Sequence, residues 1–174
     1  IVVEPAENLD SQTGYYINIT EGLTPPILDN AGNPYVGISD STTLNFTTAA
    51  AVPTLVSSIP ADNATGVAVD TNITLVFDEP VYPAGGNVSI WAVETGEMVS
   101  FFPAASGSGS GTTTITFESN PTWGVDWGTA YFLRVDIGTP KAFEDADGNA
   151  YPGISDPTTL NFTTTADTDV PTLV

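Results

Sequence analysis

Short runs in which apolar and polar residues alternate follow one another along this chain. They are rich in Val, Ile, Thr and aromatics, and clusters of Gly, Pro, Asn and Asp separate them. No window of useful length carries the 3.6-residue apolar period of a helix. The pattern predicts strands at 1–4, 15–20 and 42–48, a link at 49–53, and then strands at 54–59, 72–77, 87–93, 97–102, 112–117, 130–137 and 158–164. Alternation assigns the core. Ile73, Leu75 and Phe77 share one face, as do Ile115 and Phe117, then Tyr131, Leu133 and Val135, then Leu160 and Phe162. Thr, Asn, Arg or Asp fill the opposite positions, as in an antiparallel sheet wetted on one side. The run SGSGSG (106–111) falls between two strands of this set and is expected to be a mobile hairpin loop.

The chain also repeats itself. ISDSTTLNFTT at 38–48 returns as ISDPTTLNFTT at 154–164, and VPTLV at 52–56 returns at 170–174. A long period ending in a Thr-rich strand and a Pro-bearing link marks a tandem array of domains. Seven strands between 52 and 165 are the number an immunoglobulin-like sandwich needs. The expected fold class is therefore all-β, an immunoglobulin-like β-sandwich with Greek-key topology, in tandem. Aligning the copies pairs Tyr15 with Tyr131, Asp29 with Asp145, Gly32-Asn33 with Gly148-Asn149, and Tyr35 with Tyr151. Residues 1–51 then read as the last three strands of a preceding module, 52–165 as a complete one, and 166–174 as a linker with the first strand of a third. The opening IVVE lies inside a strand pattern, so the chain is expected to be an excerpt.

Charge narrows the partners. The formal net charge is −19, and Arg134 and Lys141 are the only basic residues. Phosphate neutralisation requires Lys and Arg, so nucleic acid is excluded as a partner, and so is docking on an anionic membrane surface. No apolar run is long enough for direct membrane insertion. Self-repulsion on this scale strains a compact state, and divalent cations or salt relieve it. A saline or calcium-rich exterior is the expected setting. Cys is absent, which rules out disulfides and thiol chemistry, and His is absent too. No Ser or Thr has an evident base, so no catalytic constellation is expected.

The run VPTLVSSIPADNATGVAVDTNITLVFDEPV (52–81), the later D-x-D-G-N loop and the terminal LNFTT closely resemble the bacterial Ig-like domain family first described in an S-layer protein. The matching elements are Pro60-Ala61-Asp62, Gly66-Val67, Asn72 to Leu75, Phe77 and Glu79-Pro80-Val81. The resemblance covers about 52–165, and its second half recurs in 1–48. It implies a sandwich that serves as a spacer or surface-interaction unit. Such modules are found in adhesins, S-layers, fibres and accessory regions of secreted enzymes.

Several residues are candidates for chemistry. Asp145, Asp147 and Asn149 alternate around Gly148, a pattern that suits Ca²⁺ and equally suits a tight Asx turn. Asp167 and Asp169 beside Pro171 are a second candidate set for an ion at the module junction, although the first junction, AAAVP, has no acid. Asp78-Glu79 is a further contributor there. Tyr131 and Tyr15 sit in the spacing of a tyrosine corner, whose hydroxyl bonds back to nearby backbone. Trp91, Trp123 and Trp127 could stack on sugar rings, but the earlier copy has no Trp, and packing is the expected role. Asn18, Asn45, Asn63, Asn72, Asn87 and Asn161 head Asn-x-Ser/Thr triplets, which Thr-rich strands produce by chance and which a glycosylating host would use.

Together these features lead to the expectation of a non-enzymatic spacer in a large repetitive protein at the cell surface, adjoining neighbouring identical modules. A fibre subunit assembled by strand exchange between chains is one alternative. A carbohydrate-binding accessory module that contacts surface glycans through Trp123 and Trp127 is the other.

Overall fold

The computed structural model describes residues 4–20, 27–119 and 124–168. Two compact units make up the chain, Ile1–Ala51 and Val52–Val174. The expected strand at 1–4 and the second VPTLV fall largely or wholly outside the described residues.

The second unit is a sandwich of two sheets. Its strands are β3 (Leu55–Ile59), β4 (Ala64–Val67), β5 (Ile73–Pro83), β6 (Asn87–Ala92), β7 (Met98–Pro103), β8 (Thr112–Phe117), β9 (Ala130–Val135), β10 (Phe143–Glu144) and β11 (Asn161–Thr164). One sheet is built on β5, which pairs with β3, β8 and β10, and the other runs β4-β11-β9-β6-β7. All pairings are antiparallel except β4 with β11. Every core residue assigned by alternation is buried, and they form one cluster with Val88, Ile90, Phe143 and Tyr151. Phe77 organises one end, with its ring 5.1 Å from Tyr151 edge-on and 5.5 Å from Phe143.

The differences from the sequence pattern have physical causes. Strand β5 continues six residues past Phe77 through Pro80. Its ladder with β8 shifts register between Val76 and Val81, and a proline there forfeits no ladder bond. β4 and β10 were not foreseen. The SGSGSG run is not a hairpin, because β7 and β8 belong to different sheets. It crosses between the sheets against the core: a Cβ on Gly107 would lie 2.7 Å from Ile115 Cγ2, and Ser108 N donates to Thr116 O at 2.9 Å. Phe132 points to the outer face by alternation yet is 7% exposed. The indole of Trp91 stacks on it at 6.3 Å, and the Arg134 guanidinium lies 4.7 Å from the Trp91 ring.

The first unit holds an antiparallel pair, β1 (Gly14–Tyr16) and β2 (Asn45–Thr47), with bridges Ile19↔Ile38 and Leu28↔Pro34. None of its described residues is buried.

Candidate functional site

Polar side chains fasten the incoming and outgoing ends of the second unit to its sheets. At the incoming end the Asp78 carboxylate accepts hydrogen bonds from Thr54 N and Thr54 Oγ1, both at 2.7 Å. These bonds, the backbone one foremost, hold the Asp78 carboxyl below the usual range. The chain next forms β3 and turns at Asn63, whose φ of 59° is a conformation that Asn tolerates. It then enters the other sheet as β4, parallel to the outgoing β11. Asn63 N donates to Asn161 O at 2.7 Å and Thr165 N to Val67 O at 2.8 Å. Asp62 Oδ1 accepts from Asn161 N at 3.1 Å.

A polar frame closes the other side of β11. Tyr131 Oη accepts from Asp126 N at 2.8 Å, which is the geometry of a tyrosine corner. The buried Thr164 hydroxyl donates to Asp126 O at 2.7 Å and accepts from Thr129 N at 2.9 Å, while Gly128 N donates to Thr165 O at 2.8 Å. The same frame stands in the first unit. Tyr15 Oη accepts from Asp10 N at 2.9 Å, Thr48 Oγ1 donates to Asp10 O at 2.6 Å and accepts from Thr13 N at 3.0 Å, and Gln12 N donates to Ala49 O at 3.2 Å. Preceding β11, Asp156 accepts from Thr158 and Thr159, and Asp40 accepts from Thr42 and Thr43 in the same way. The Asp156 carboxyl is lowered to about 2, first by the Thr158 hydroxyl.

The 144–149 loop is an Asx turn. Asp145 Oδ1 accepts from Asp147 N at 2.9 Å and Asn149 N at 2.8 Å, and Oδ2 accepts from Asn149 Nδ2 at 2.8 Å. Gly148, at φ 84°, supplies the left-handed step. The Asn149 amide is the main cause of the lowered Asp145 carboxyl. Asp29 makes the matching bonds to Ala31 N, Asn33 N and Asn33 Nδ2. Lys141 Nζ braces the loop, donating to Gly148 O and pairing with Glu144, each at 2.7 Å. Glu79 faces this acidic group. Burial first, then the charges of Asp145, Asp78 and Asp147, push its carboxyl up. Asp145, Asp147 and Asn149 thus share one turn, and Asp167 is exposed beyond β11. Asp169 lies outside the described residues. Among the described residues no three His, Cys, Asp or Glu side chains gather as a metal site would require.

These shifts set a pH dependence. A depressed carboxyl stabilises the fold above its unfolded value of 3.8, and that contribution is lost as pH falls through the folded value, about 2 for Asp156. Glu79 has the opposite sign, because a raised carboxyl favours folding when protonated. Urea midpoints at constant ionic strength should therefore fall steeply only below pH 3.8. Glu79→Gln should raise the midpoint at neutral pH and flatten its dependence on mild acidification. A fall in the Glu79→Gln midpoint would contradict this assignment.

The remaining candidates are dispersed. Trp91 is half-buried, with Nε1 donating to Ser89 Oγ at 2.8 Å, whereas Trp127 is 52% exposed and Trp123 lies outside the described residues. Among the triplet asparagines, Asn18 is exposed. The amide nitrogens of Asn45, Asn63, Asn72, Asn87 and Asn161 each donate to a neighbour: Thr42 O, Asp62, Glu118, Asp136 and Asp62. An open groove of about 550 Å³ beside β3 is lined by Leu55, Ser57, Tyr151 and Leu160, with Asp62 at its margin. Burial pushes the Tyr151 hydroxyl up to about 12. Sequence reasoning named Asp78 only as a contributor to an ion at the module junction and Asp62 only within a matching motif; it did not foresee their bonds to Thr54 and Asn161, and it missed Thr164, for which the identity of Thr48 and Thr164 in the repeat was the available signal.

A family model described as a bacterial Ig-like domain matches residues 49–164. No curated protein matches the chain. Among solved structures, the crystal structure of CopC from Methylosinus trichosporium OB3b is similar over 68% of this chain and 99% of its own, at 18% identity and a TM-score of 0.43.

Proposed function

Because the chain belongs to the bacterial Ig-like domain family, we propose that it is a non-enzymatic, load-bearing spacer of a large repetitive protein on the cell exterior. The observation that carries this reading is the parallel pairing of β4 with β11. The incoming and outgoing segments of the second unit lie side by side and run the same way. Tension applied along the chain then loads their bonds together, in shear, instead of peeling them one at a time. Asn63 to Asn161 and Thr165 to Val67 are the bonds placed under load. The Asp78–Thr54 clamp holds the incoming end to β5, so tension reaches β4 through a fixed point. The repeated frame supports a string of such units, and the net charge of −19 suits a saline exterior in which cations screen it.

Single-molecule stretching of the full chain tests this. One discrete rupture is expected, releasing roughly 400 Å of chain for about 115 residues at about 3.6 Å each. Thr165→Pro removes the N–H bonded to Val67 O and should lower the rupture force. A smooth extension with no rupture, or a rupture force unchanged in Thr165→Pro, would count against the load-bearing reading.

A further inference from the structure

A cleft on the outer face of the β4-β11-β9-β6-β7 sheet takes no part in the load path. Val88 and Ile90 of β6 and Leu133 and Val135 of β9 point into the core, so Ser89, Trp91 and Arg134 lie on the solvent side. Ser89 is the register partner of Arg134. Arg134 is the only arginine of the chain, against 21 Asp and Glu. Among the described residues no carboxylate pairs with it. Its guanidinium lies 4.7 Å from the Trp91 ring, and a ring face accepts none of the ordinary N–H···O bonds. Asp136, two residues along the same strand, is turned to other work. Its Oδ2 accepts from Asn87 N at 2.8 Å and Asn87 Nδ2 at 3.1 Å, and its Oδ1 has no donor among the described residues. Ser89 is 6% exposed, and its Oγ accepts from Trp91 Nε1 at 2.8 Å. The hydrogen of that buried hydroxyl has no acceptor among the described residues, an arrangement that folded proteins avoid. Ser89, Trp91, Arg134, Asp136, Ile137 and Ser155 line one cleft of about 160 Å³.

We propose that this cleft binds a sugar acid, a hexose ring bearing one carboxylate, carried at the end of an otherwise uncharged glycan. The carboxylate accepts paired N–H bonds from Arg134 and the spare hydrogen of Ser89. Ring hydroxyls donate to Asp136 Oδ1 and exchange bonds with Ser155, while the apolar side of the ring packs on Trp91 and on Ile137, which is 60% exposed. The mixture of groups selects this ligand. A plain carboxylic acid would satisfy Arg134 and Ser89 but bring nothing for Asp136 to accept. A neutral sugar would leave the guanidinium without a counter-charge. A polyanion would set its remaining charges against a chain whose own net charge is −19, with one guanidinium to offset them. The site lies wholly within the second unit and does not depend on the spacer reading.

The test titrates the full chain with methyl β-D-glucuronide and follows the Trp91 indole N–H and the Ser89 and Arg134 amides by heteronuclear NMR. Saturable shifts are expected at these groups, with the Trp127 indole unmoved. Methyl β-D-glucoside and acetate each keep half of the ligand, and each should bind at least about 10-fold more weakly. Arg134→Lys keeps the charge but loses the planar fork, and should weaken glucuronide binding by about 10-fold or more. Ser89→Ala should weaken it by about fivefold. The amide signals of 73–77 report the fold of each variant, and the wild-type titrations decide the matter even where a variant fails to fold. Absence of a saturable shift with the glucuronide would overturn the proposal. So would acetate or the glucoside binding as tightly as the glucuronide, or a folded Arg134→Lys chain with unchanged affinity. L-Alanine binding as tightly would also overturn it, since its ammonium group would then be what Asp136 accepts from.

Discussion

Phe143→Ala should destabilise the second unit by roughly 3–5 kcal/mol, the range for deleting a fully buried aromatic side chain. Phe143 is 0% exposed, contacts the Phe77 ring, and sits on β10, a two-residue strand with little else to hold it. Removing it loses the transfer energy of the ring and leaves a cavity that the surrounding sheets cannot easily collapse around. Urea unfolding followed through the second unit's tryptophans would measure the loss. The repeat supplies the control. Ile27 holds the equivalent position in the first unit and is only half-buried, so Ile27→Ala should cost under about 1 kcal/mol. A loss at Phe143 as small as that at Ile27 would mean that the β5 sheet does not close over the 126–165 frame as described.

The second large effect is expected at Gly109. Its φ is 99°, a region that side-chain-bearing residues avoid, and a Cβ there would press into the Thr114 carbonyl oxygen. Gly109 O also accepts from Thr112 N and Thr112 Oγ1, which ties the crossover to the start of β8. Gly109→Ala should cost at least about 2 kcal/mol through backbone strain. Gly96 provides the comparison. It also has positive φ, at 66°, but nothing lies within 4 Å of its added Cβ, so Gly96→Ala should be the milder change. The difference in urea midpoint between the two variants isolates the contribution of the clash. Equal midpoints would mean that the SGSGSG run moves freely, as its composition suggests, and does not pack across the sandwich.

That run shows where sequence reasoning stops. Ser-Gly repeats read as a flexible loop because composition carries no information about what lies across the chain, and here Ile115 and Phe117 lie across it. Strand faces were legible because alternation is local: Ile73, Leu75 and Phe77 needed only one another to declare a buried face. β4 was not legible. Its residues, ATGV, have no alternation of their own, and they form a strand only because β11 offers a free edge 98 residues later, where Phe162 meets Ala64. Phe132 misled in the opposite sense, since it is covered by a Trp on a neighbouring strand. At the candidate site the tyrosines could be read from spacing, because their partners lie five residues away. The Asp78–Thr54 and Asp62–Asn161 contacts span 24 and 99 residues, and no local pattern signals them. The 144–149 loop was recognised from its alternating oxygens. The structure adds that the Asp145 oxygens face the N–H groups of their own turn.

The placement of the two cations has a consequence for a string of such units. Arg134 lies over the Trp91 ring and Lys141 is held by Glu144 and Gly148, so both positive groups are engaged within the second unit. No other side chain carries a positive charge, against 21 Asp and Glu. If the units are strung together as proposed, parallel strings would behave as a polyelectrolyte brush, holding one another apart by the osmotic pressure of their counterions. The reach of that repulsion follows the Debye length, about 10 Å at 0.1 M salt and about 3 Å at 1 M. A layer of these molecules would thin and crowd as its surroundings became more saline, with no change in the fold of any one unit.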